Sequence, residues 1–454
     1  MQRDVSRGRL PSETVAGWGR IGVPGREVRS TDLERLSEGA VLSRGLGRSY
    51  GDSSLPPPGV HEVASTALAD RLLAFDPGTG VLRAEAGTSL HALNRLFLPR
   101  GFFVPVTPGT QFVTLGGMVA SDVHGKEHHV RGCFGEHVSA LRMRVADGRV
   151  LTCSETAHRD LFLATIGGMG LTGHILDVEV KMLRIASPWI HQESVRVDDL
   201  DAFLVALKDA AARFPYTVGW IDCLTRGAHM GRGILMAGDW ASPDQAPARF
   251  PSALPRVTMP FDLPSAVLGG KLLGRLSVGA FNEAFYRRHI PRKRTDIIHW
   301  ESFFYPLDAI REWNRIYGPR GFTQYQCVLP TSAGPDAARR VLEILTRLGG
   351  ASFLCVIKDC GAEGRGMLSF PMKGISIALD LSVTDDTQAL VDALNVQVIR
   401  EGGRIYLTKD TFTRPEHFRA MEPRLPAFLE VRRRWDPETK IRSAQSVRLF
   451  GDRR

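Results

Sequence analysis

The sequence predicts an α+β protein of two domains, and three observations lead to that prediction. The first ~185 residues read as short β-runs separated by glycine turns, whereas longer helices alternate with strands beyond them. Two glycine-dense loops lie within the first part. At 454 residues, the chain is also long enough for two or three domains.

In the first part, β-runs stand out at residues 81–87 and 140–145, and a turn at 146–148 follows the second run. A helix is predicted to begin after Ser89, because apolar residues then recur at helical spacing. Another helix is predicted over 160–165, where two glycines end it. This part therefore reads as mixed α and β structure.

The second part has longer elements. Helices are predicted over 199–214 and 336–348, and strands over 217–222, 352–357 and 375–381. Alternating elements of this kind are typical of an antiparallel sheet backed by helices. We expect this part to form a substrate-binding domain.

Residues 249–294 differ from their surroundings, because they combine five prolines with nine lysines and arginines. They are predicted to form a mobile basic loop region. It is either a surface excursion with solvated charges or a lid that touches anionic lipid headgroups, and the sequence leaves both readings open.

The composition is that of an ordinary globular protein, with 43% hydrophobic and 24% charged residues. No apolar run approaches the ~20 residues of a membrane-spanning helix, and the N-terminus lacks the apolar core of a signal peptide. We therefore expect a cytoplasmic protein, or one held peripherally at the inner membrane. The net charge of +9 favours an anionic partner such as a phosphorylated lipid or a membrane surface. A nucleic-acid partner is not expected, because basic and aromatic residues do not interleave.

The six cysteines stand singly, at positions 133, 153, 223, 327, 355 and 360. None forms a Cys-x-x-Cys pair, so we expect free thiols and no metal site. The histidines at 124, 128 and 129 lack a carboxylate or cysteine that would complete a ligand set.

The two glycine-dense loops are residues 44–52, which read RGLGRSYGD, and residues 108–122; a third glycine-rich segment follows at 167–173. Glycine lacks a Cβ and adopts positive φ, so several N–H groups can turn toward one anion. The first loop lacks the third glycine of the dinucleotide fingerprint, and neither loop continues into the lysine of a P-loop. The loops therefore indicate a large nucleotide cofactor held by a different fold.

The pattern resembles the FAD-binding domain of vanillyl-alcohol-oxidase-type flavoproteins. The matching segments extend over both domains, at residues 17–20, 44–52, 121–129, 303–308, 324–326, 368–371 and 406–410. The resemblance implies a two-part FAD-binding domain at 1–187, a substrate-binding domain at 188–403, and a return of residues 404–454 to the FAD domain.

The resemblance also implies a set of FAD-binding residues. They are Arg44, Gly45, Leu46, Gly47, Arg48, Ser49, Tyr50, Gly51, Gly109, Thr114, Leu115, Gly116, Gly117, Ser121, Asp122, Val123, His124, Gly125, Gly170, Gly173, Ile175 and Tyr406. Relatives that attach flavin covalently have a histidine where this chain has Arg48. FAD is therefore expected to be bound noncovalently.

Within this superfamily, the chain resembles the flavin half of a two-enzyme epimerase of bacterial cell-envelope synthesis. That resemblance implies oxidation of the ribose 2-hydroxyl of a polyprenylphosphoryl-β-D-ribose to a ketone. A separate NAD(P)H-dependent short-chain reductase would then complete the epimerisation. Two alternatives stay open: an FAD-dependent oxidase of a soluble sugar, alditol or lactone, and an inactive flavin-binding scaffold.

Flavin oxidation of an alcohol needs a hydride acceptor, a group that takes the hydroxyl proton, and stabilisation of the reduced ring. The resemblance implies that Lys409, His124 and Tyr50 carry the catalytic roles. It also implies substrate contacts, which are made by Gln326, Lys358, Tyr317 and Gln324. Lys358 is expected to contact the phosphate.

Overall fold

The structure is a computed structural model that describes residues 13–252, 254–258, 275–348, 352 and 354–453. Short strands dominate the first part of the chain: β1 (Thr14–Ala16), β2 (Gly22–Pro24), β3 (Arg26–Arg29), β4 (Ser43–Arg44), β5 (Glu62–Ser65), β6 (Leu72–Asp76), β7 (Val81–Glu85), β8 (Phe102–Phe103), β9 (Val138–Arg144), β10 (Val150–Ser154), β11 (His174–Lys181) and β12 (Leu183–Arg184). The helices here are α1 (Leu33–Leu36), α2 (Leu90–Phe97), α3 (Leu115–Ala120), α4 (His128–Arg131) and α5 (Arg159–Thr165).

Two sheets organise this first part. A small parallel sheet has the order β3-β5-β4, and an antiparallel sheet has the order β10-β9-β11-β7-β6. Helix α2 begins where it was predicted, because the Ser89 side chain caps it by accepting a hydrogen bond from the Ala92 N–H. Helices α2 and α3 pack on the larger sheet through buried residues such as Leu93 and Met118. Both glycine loops emerge beside this core.

The second part contains the strands β13 (Trp189–Val197), β14 (Tyr216–Ile221), β15 (Gly233–Trp240), β16 (Val257–Thr258), β17 (Lys293–His299), β18 (Ile310–Arg311), β19 (Phe322–Pro330), β20 (Cys355–Cys360), β21 (Gly374–Ser382) and β22 (Arg404–Ile405). Its helices are α6 (Leu200–Arg213), α7 (Arg275–Arg287), α8 (Trp300–Phe304), α9 (Ala337–Arg347) and α10 (Thr387–Arg400). Asp199 and Asp336 are the N-caps of α6 and α9, which agrees with the predicted starts of these helices at 199 and 336.

One antiparallel sheet dominates this part, with the order β17-β13-β15-β14-β20-β21-β19-β22. Side chains of a strand alternate between the two faces of a sheet. Thus Tyr325, Ile357 and Leu379 point into the core beneath the helices, whereas Gln326 and Lys358 lie on the opposite, cavity-facing side. The α+β prediction is confirmed, with an antiparallel sheet backed by helices.

The segment 249–294 contains regular structure where a loop was predicted. Residues 253 and 259–274 lie outside the described residues, but β16, α7 and the start of β17 fall within the rest. Helix α7 is held because Tyr286 packs with Trp220 and Ile234. The prolines and basic residues on either side of this helix concealed its apolar face in the sequence.

The chain ends in three helices, α11 (Pro415–Met421), α12 (Leu425–Trp435) and α13 (Ala444–Leu449). The backbone N–H groups of Arg442 and Ala444 donate to the carbonyl oxygens of Val41 and Leu55, at 3.1 and 3.0 Å. This final segment therefore packs against the first part of the chain. The boundaries at 187 and 403 stay predictions.

Candidate active site

A cavity of about 1330 Å³ lies between the glycine loops and the open face of the large sheet. It collects most of the residues predicted for the cofactor: Arg44, Gly45, Leu46, Gly47, Arg48, Ser49, Tyr50, Gly109, Thr114, Gly116, Gly117, Ser121, Val123, His124, Gly125, Gly170, Gly173, Ile175 and Tyr406. Lys409, Gln324, Gln326 and Lys358 line the same cavity.

Arg44 supports the first loop from behind. Its guanidinium donates to Glu27 at 2.8 Å, to the Ser54 hydroxyl at 2.9 Å and to the Ala16 carbonyl at 2.7 Å. Gly47 crosses above it with φ near 64°, and a Cβ there would lie 2.2 Å from Arg44 Nη2. The loop therefore keeps its shape through Arg44, whose donors are engaged within the protein.

The second loop packs directly on the first. Thr114 caps α3 by accepting a hydrogen bond from the Gly117 N–H at 3.2 Å. A Cβ on Gly45 would lie 2.4 Å from Thr114 Oγ1, and one on Gly116 would lie 2.9 Å from Ala86 Cβ. Glycine is therefore needed here because backbone and neighbouring elements touch.

The cavity wall that the two glycine loops form has several features that fit a dinucleotide. The hydroxyls of Ser53 and Thr66 are buried at the cavity and have no hydrogen-bond partner among the described residues. Buried hydroxyls usually have a partner, so these two fit the phosphate and ribose oxygens of a ligand. A Cβ on Gly109 or Gly170 would meet no protein atom within 4 Å, which leaves room at the wall for a bulky group.

Arg48 lies at the position for which the family resemblance raised the question of a covalent flavin link. Its guanidinium carbon lies 3.9 Å from the centroid of the Trp18 ring and 5.4 Å from that of Phe112. Arginine offers no nucleophilic atom for a flavin linkage, so this wall has a stacked cation instead.

His124 projects into the cavity from the second loop. Its Nε2 accepts a hydrogen bond from the Gln326 amide at 2.9 Å, and its ring lies 4.9 Å from that of Tyr406. Burial lowers the pKa of His124 well below its usual value, and Lys358 lowers it further. The imidazole is therefore neutral with its proton on Nδ1, which has no partner among the described residues.

Lys409 lies opposite, with its ammonium nitrogen 3.7 Å from the centroid of the Tyr50 ring. Burial lowers the pKa of Lys409 to about 7, and the nearby Asp380 carboxyl opposes that shift. Asp380 accepts hydrogen bonds from Gln324 Nε2 at 2.6 Å and from the Tyr317 hydroxyl at 3.0 Å. Lys409 can therefore exchange a proton near neutral pH.

Two further lysines face the same space. Lys126 Nζ donates to the Phe304 carbonyl at 3.1 Å, and Lys358 extends from β20. Burial lowers the pKa of both, that of Lys126 to about 7, and Lys358 adds to the shift at Lys126. Half-buried cations that destabilise one another indicate a site for an anion.

The same cavity also has an apolar portion of its wall, here called the apolar branch. It consists of Val218, Trp220, Met236, Val278, Phe281, Phe285 and Val356. Phe285 lies 4.7 Å from Trp220 and is covered by the Arg288 guanidinium at 4.1 Å. A branch of this kind suits an apolar chain attached to an anionic group.

Four predicted residues do not line the cavity. Gly51 is in backbone contact with Asp410, since a Cβ there would lie 1.7 Å from the Asp410 carbonyl oxygen. Leu115 is fully buried in the core. Asp122 is also fully buried, and Tyr317 lies behind Asp380. Their roles toward ligands stay predictions. In the structure, these four residues contact other parts of the protein and not the cavity.

Sequence reasoning missed Lys126 and Asp380 as candidate site residues. Lys126 belongs to the matching segment 121–129, but a lysine in a polar loop gives no sign in the sequence that it is buried. Asp380 alternates with apolar residues of β21, which placed it on the sheet face that contains Gln326 and Lys358. That alternation is the signal that would have found it.

Among the residues that the structure describes, no helix is long and apolar enough to cross a membrane. The same residues also contain no group of three or more His, Cys, Asp or Glu side chains arranged to hold a metal ion. All six cysteines are buried as free thiols.

Comparisons with known proteins agree with this geometry. Residues 36–154 match the model of an FAD binding domain. The decaprenylphosphoryl-beta-D-ribose oxidase of Mycolicibacterium smegmatis is 33% identical over 98% of this chain and 99% of its own length. An uncharacterized protein of Streptomyces coelicolor is 34% identical over 80% of this chain and 99% of its length.

The similarity to a third relative is shorter. A D-arabinono-1,4-lactone oxidase of Neurospora crassa, itself described as putative, is 28% identical over 25% of this chain and 20% of its own length. Only the decaprenylphosphoryl-ribose enzyme combines a named activity with full-length similarity among these three. The chain therefore belongs to the family of FAD-binding oxidases that includes the decaprenylphosphoryl-beta-D-ribose oxidase of Mycolicibacterium smegmatis.

Proposed function

We propose that the protein oxidises the ribose 2-hydroxyl of a polyprenylphosphoryl-β-D-ribose to the ketone, with FAD as its cofactor. The observation that carries this proposal is a single cavity that joins a glycine-rich wall, three lysines and an apolar branch. These features match, in order, a dinucleotide, a phosphate and a polyprenyl chain. The full-length relative is named for such a substrate.

The two glycine loops would hold FAD, with the buried hydroxyls of Ser53 and Thr66 as added partners. Bound FAD supplies a two-electron acceptor for hydride. Since Arg48 replaces the histidine of covalent relatives, the cofactor would be held by noncovalent contacts. Residues 13–187 would form most of this site, and the segment that contains Lys409 would close it.

Oxidation removes a hydride from the ribose C2 and a proton from its oxygen. Lys409, in its neutral form, is the group that accepts this proton, because its pKa lies at about 7. His124 stays neutral and presents Nδ1–H, so it can orient a substrate oxygen without adding charge. Gln326 fixes that tautomer by donating to Nε2. The Tyr50 ring holds the Lys409 side chain in place.

Lys126 and Lys358 would bind the phosphate. A phosphodiester supplies a negative charge that raises the pKa values of both lysines toward the usual range and so favours their protonated forms. The sugar would then lie between this pair and Lys409, and the polyprenyl chain would enter the apolar branch. The ketone would be the substrate of a separate NAD(P)H-dependent short-chain reductase.

Helix α7 and the residues that follow it suit a peripheral contact with anionic lipid, at the inner membrane. Phe281 is 48% exposed and Ile290 is 73% exposed, beside the basic residues Arg287 and Arg288. Co-sedimentation with phosphatidylglycerol vesicles tests this contact. Phe281→Ser with Ile290→Ser should abolish it, and equal binding to phosphatidylcholine vesicles would argue against a role of charge.

The deciding experiment is anaerobic bleaching of the flavin absorbance with a polyprenylphosphoryl-ribose analogue, beside free ribose and xylitol. The proposal expects bleaching by the phospholipid sugar alone. Bleaching by xylitol or ribose would favour an oxidase of soluble polyols. A yellow protein that none of the three bleaches would favour a scaffold without turnover.

A further inference from the structure

The C-terminal helix α13 is tied to both segments that meet in the active site. Its N-terminus has a reciprocal capping pair, because the Ser443 and Ser446 side chains bond to one another's backbone N–H. Gln445 Nε2 donates to the Leu407 carbonyl at 2.8 Å, and the Gln445 N–H donates to the Asp52 carbonyl at 3.3 Å. One residue thus reaches the loop of Tyr50 and the segment of Lys409.

Arg448 makes the stronger link between these segments. Its Nε and Nη2 donate to the two carboxylate oxygens of Asp52, at 2.8 and 2.7 Å. Nη2 also donates to Asp410 Oδ2 at 2.9 Å, and Nη1 donates to the Thr413 carbonyl at 2.5 Å. A planar guanidinium can hold two carboxylates in a fixed relative position, which a lysine ammonium cannot.

The two carboxylates belong to residues that lie next to the chemistry. Asp52 is two residues after Tyr50, and Asp410 directly follows Lys409. The segments also touch through their backbones, since the Tyr50 N–H donates to the Thr408 carbonyl at 2.9 Å. Asp410 is nearly buried, with 6% of its side chain exposed, so two facing carboxylates would repel strongly without Arg448.

We propose that Arg448 is a positioning residue, which sets the distance between Tyr50 and Lys409 by holding Asp52 and Asp410 together. Six residues from the end of the chain, it touches neither the cavity nor the reacting atoms. The proposal rests on the assigned role of Lys409. It predicts that α13 is required for the geometry of the active site and does not only pack the C-terminal segment onto the protein.

The first test needs no substrate. The protein has nine lysines, so carbon-13 labelling of the lysine ε position gives an uncrowded spectrum, in which Lys409→Arg identifies the Lys409 signal. A ring 3.7 Å from the ammonium should shift the adjacent protons upfield in the wild type. Arg448→Met should move this signal toward the position of an exposed lysine, while the other signals stay in place.

The second test measures flavin reduction by the phospholipid sugar. Arg448→Met should lower the limiting rate about a hundredfold, because misplacement by about 1 Å has an effect of that size. The half-saturating substrate concentration and the FAD content should stay near wild type. Arg448→Lys should recover part of the rate. If Arg448→Met fails to fold, Asp52→Asn weakens one side of the link and should shift the Lys409 signal in the same direction.

Arg432→Met is the matched control. Arg432 is a buried arginine of the same C-terminal segment and forms a double ion pair with Asp452, at 2.8 and 2.6 Å. Its loss should cost stability without moving the Lys409 signal. The proposal is overturned if Arg448→Met keeps both the signal and the rate, or if Arg432→Met changes them equally. An inactive wild type with a shifted Lys409 signal would instead count against the proposed function alone.

Discussion

The ammonium nitrogen of Lys409 lies 3.7 Å from the centroid of the Tyr50 ring. These residues come from opposite ends of the sequence, and a cation this close to an aromatic face is attracted by its quadrupole. The ring covers one side of the lysine, which limits its hydration and contributes to the burial that lowers its pKa. This contact therefore affects both the position of the Lys409 side chain and its pKa.

Replacement of Lys409 by methionine should slow sugar oxidation strongly while the protein stays yellow. General acid–base catalysis contributes about 10²- to 10⁴-fold, and we expect a loss within that range. Anaerobic stopped-flow reduction measures the rate, and the flavin absorbance measures FAD content. Lys440→Met is the control, because Lys440 is a surface lysine paired with Glu438 at 3.3 Å. A wild-type rate in Lys409→Met would remove this lysine from the mechanism.

The rate of flavin reduction should rise with pH up to about 7 and level off above it. Burial disfavours the charged lysine and so lowers the pKa of Lys409 to about 7; only above that pH is the neutral, proton-accepting form dominant. Asp380 and Lys358 face the same group and act in opposite directions on its pKa. A profile that stays flat across this range would mean that another group accepts the proton.

Lys126→Met should weaken binding of the phospholipid sugar by about tenfold to a hundredfold, since a hydrogen bond to a charged group contributes about 1.5–3 kcal/mol. The limiting rate should change far less, because Lys126 contacts the Phe304 carbonyl and not the reacting carbon. Titration of the flavin spectrum with the substrate measures the affinity. An equal loss in limiting rate and affinity would contradict a role restricted to the phosphate.

Gly109→Val should lower FAD affinity without unfolding the protein. A Cβ at Gly109 meets no protein atom within 4 Å, so the new side chain would occupy space at the cavity wall. We expect about tenfold weaker binding or more, since overpacking costs about 1–3 kcal/mol. Fluorescence titration of the apoprotein with FAD measures the effect. Gly279→Ala, on helix α7 and with equally open surroundings, should leave FAD affinity unchanged.

Acid precipitation should release all of the FAD into the supernatant. The reason is chemical: Arg48 has no atom that forms the histidine–flavin bond of covalent relatives, and its guanidinium lies against Trp18. Absorbance of the supernatant and of the dissolved pellet measures the partition. Flavin that stays with the pellet would require a covalent link at another residue.

Much of the local structure could be predicted from the sequence, because short-range chemistry determines it. Ser89 and Asp199 cap helices where their side chains suggested, and β14 and β21 follow their apolar patterns. Strand β20 begins at Cys355, three residues after the start of the predicted strand 352–357. Helix α7 was missed because its buried face depends on contact with Trp220, a residue of another element. Local patterns in the sequence therefore predicted whether these segments are helices or strands. Helix α7 was the exception, because its buried face is defined by packing.

Three features follow from the amino-acid sequence without any coordinates: the α+β class, the two glycine loops and the alternation that separates core from cavity on each strand. Folding is what brings Lys126, Lys358 and Lys409 into one cavity and Arg448 to Asp52 across 396 residues. Glycine conformations and strand alternation depend on neighbours along the chain, so a sequence displays them directly. Distances between remote segments depend on how whole sheets and helices pack, and no local pattern contains that information.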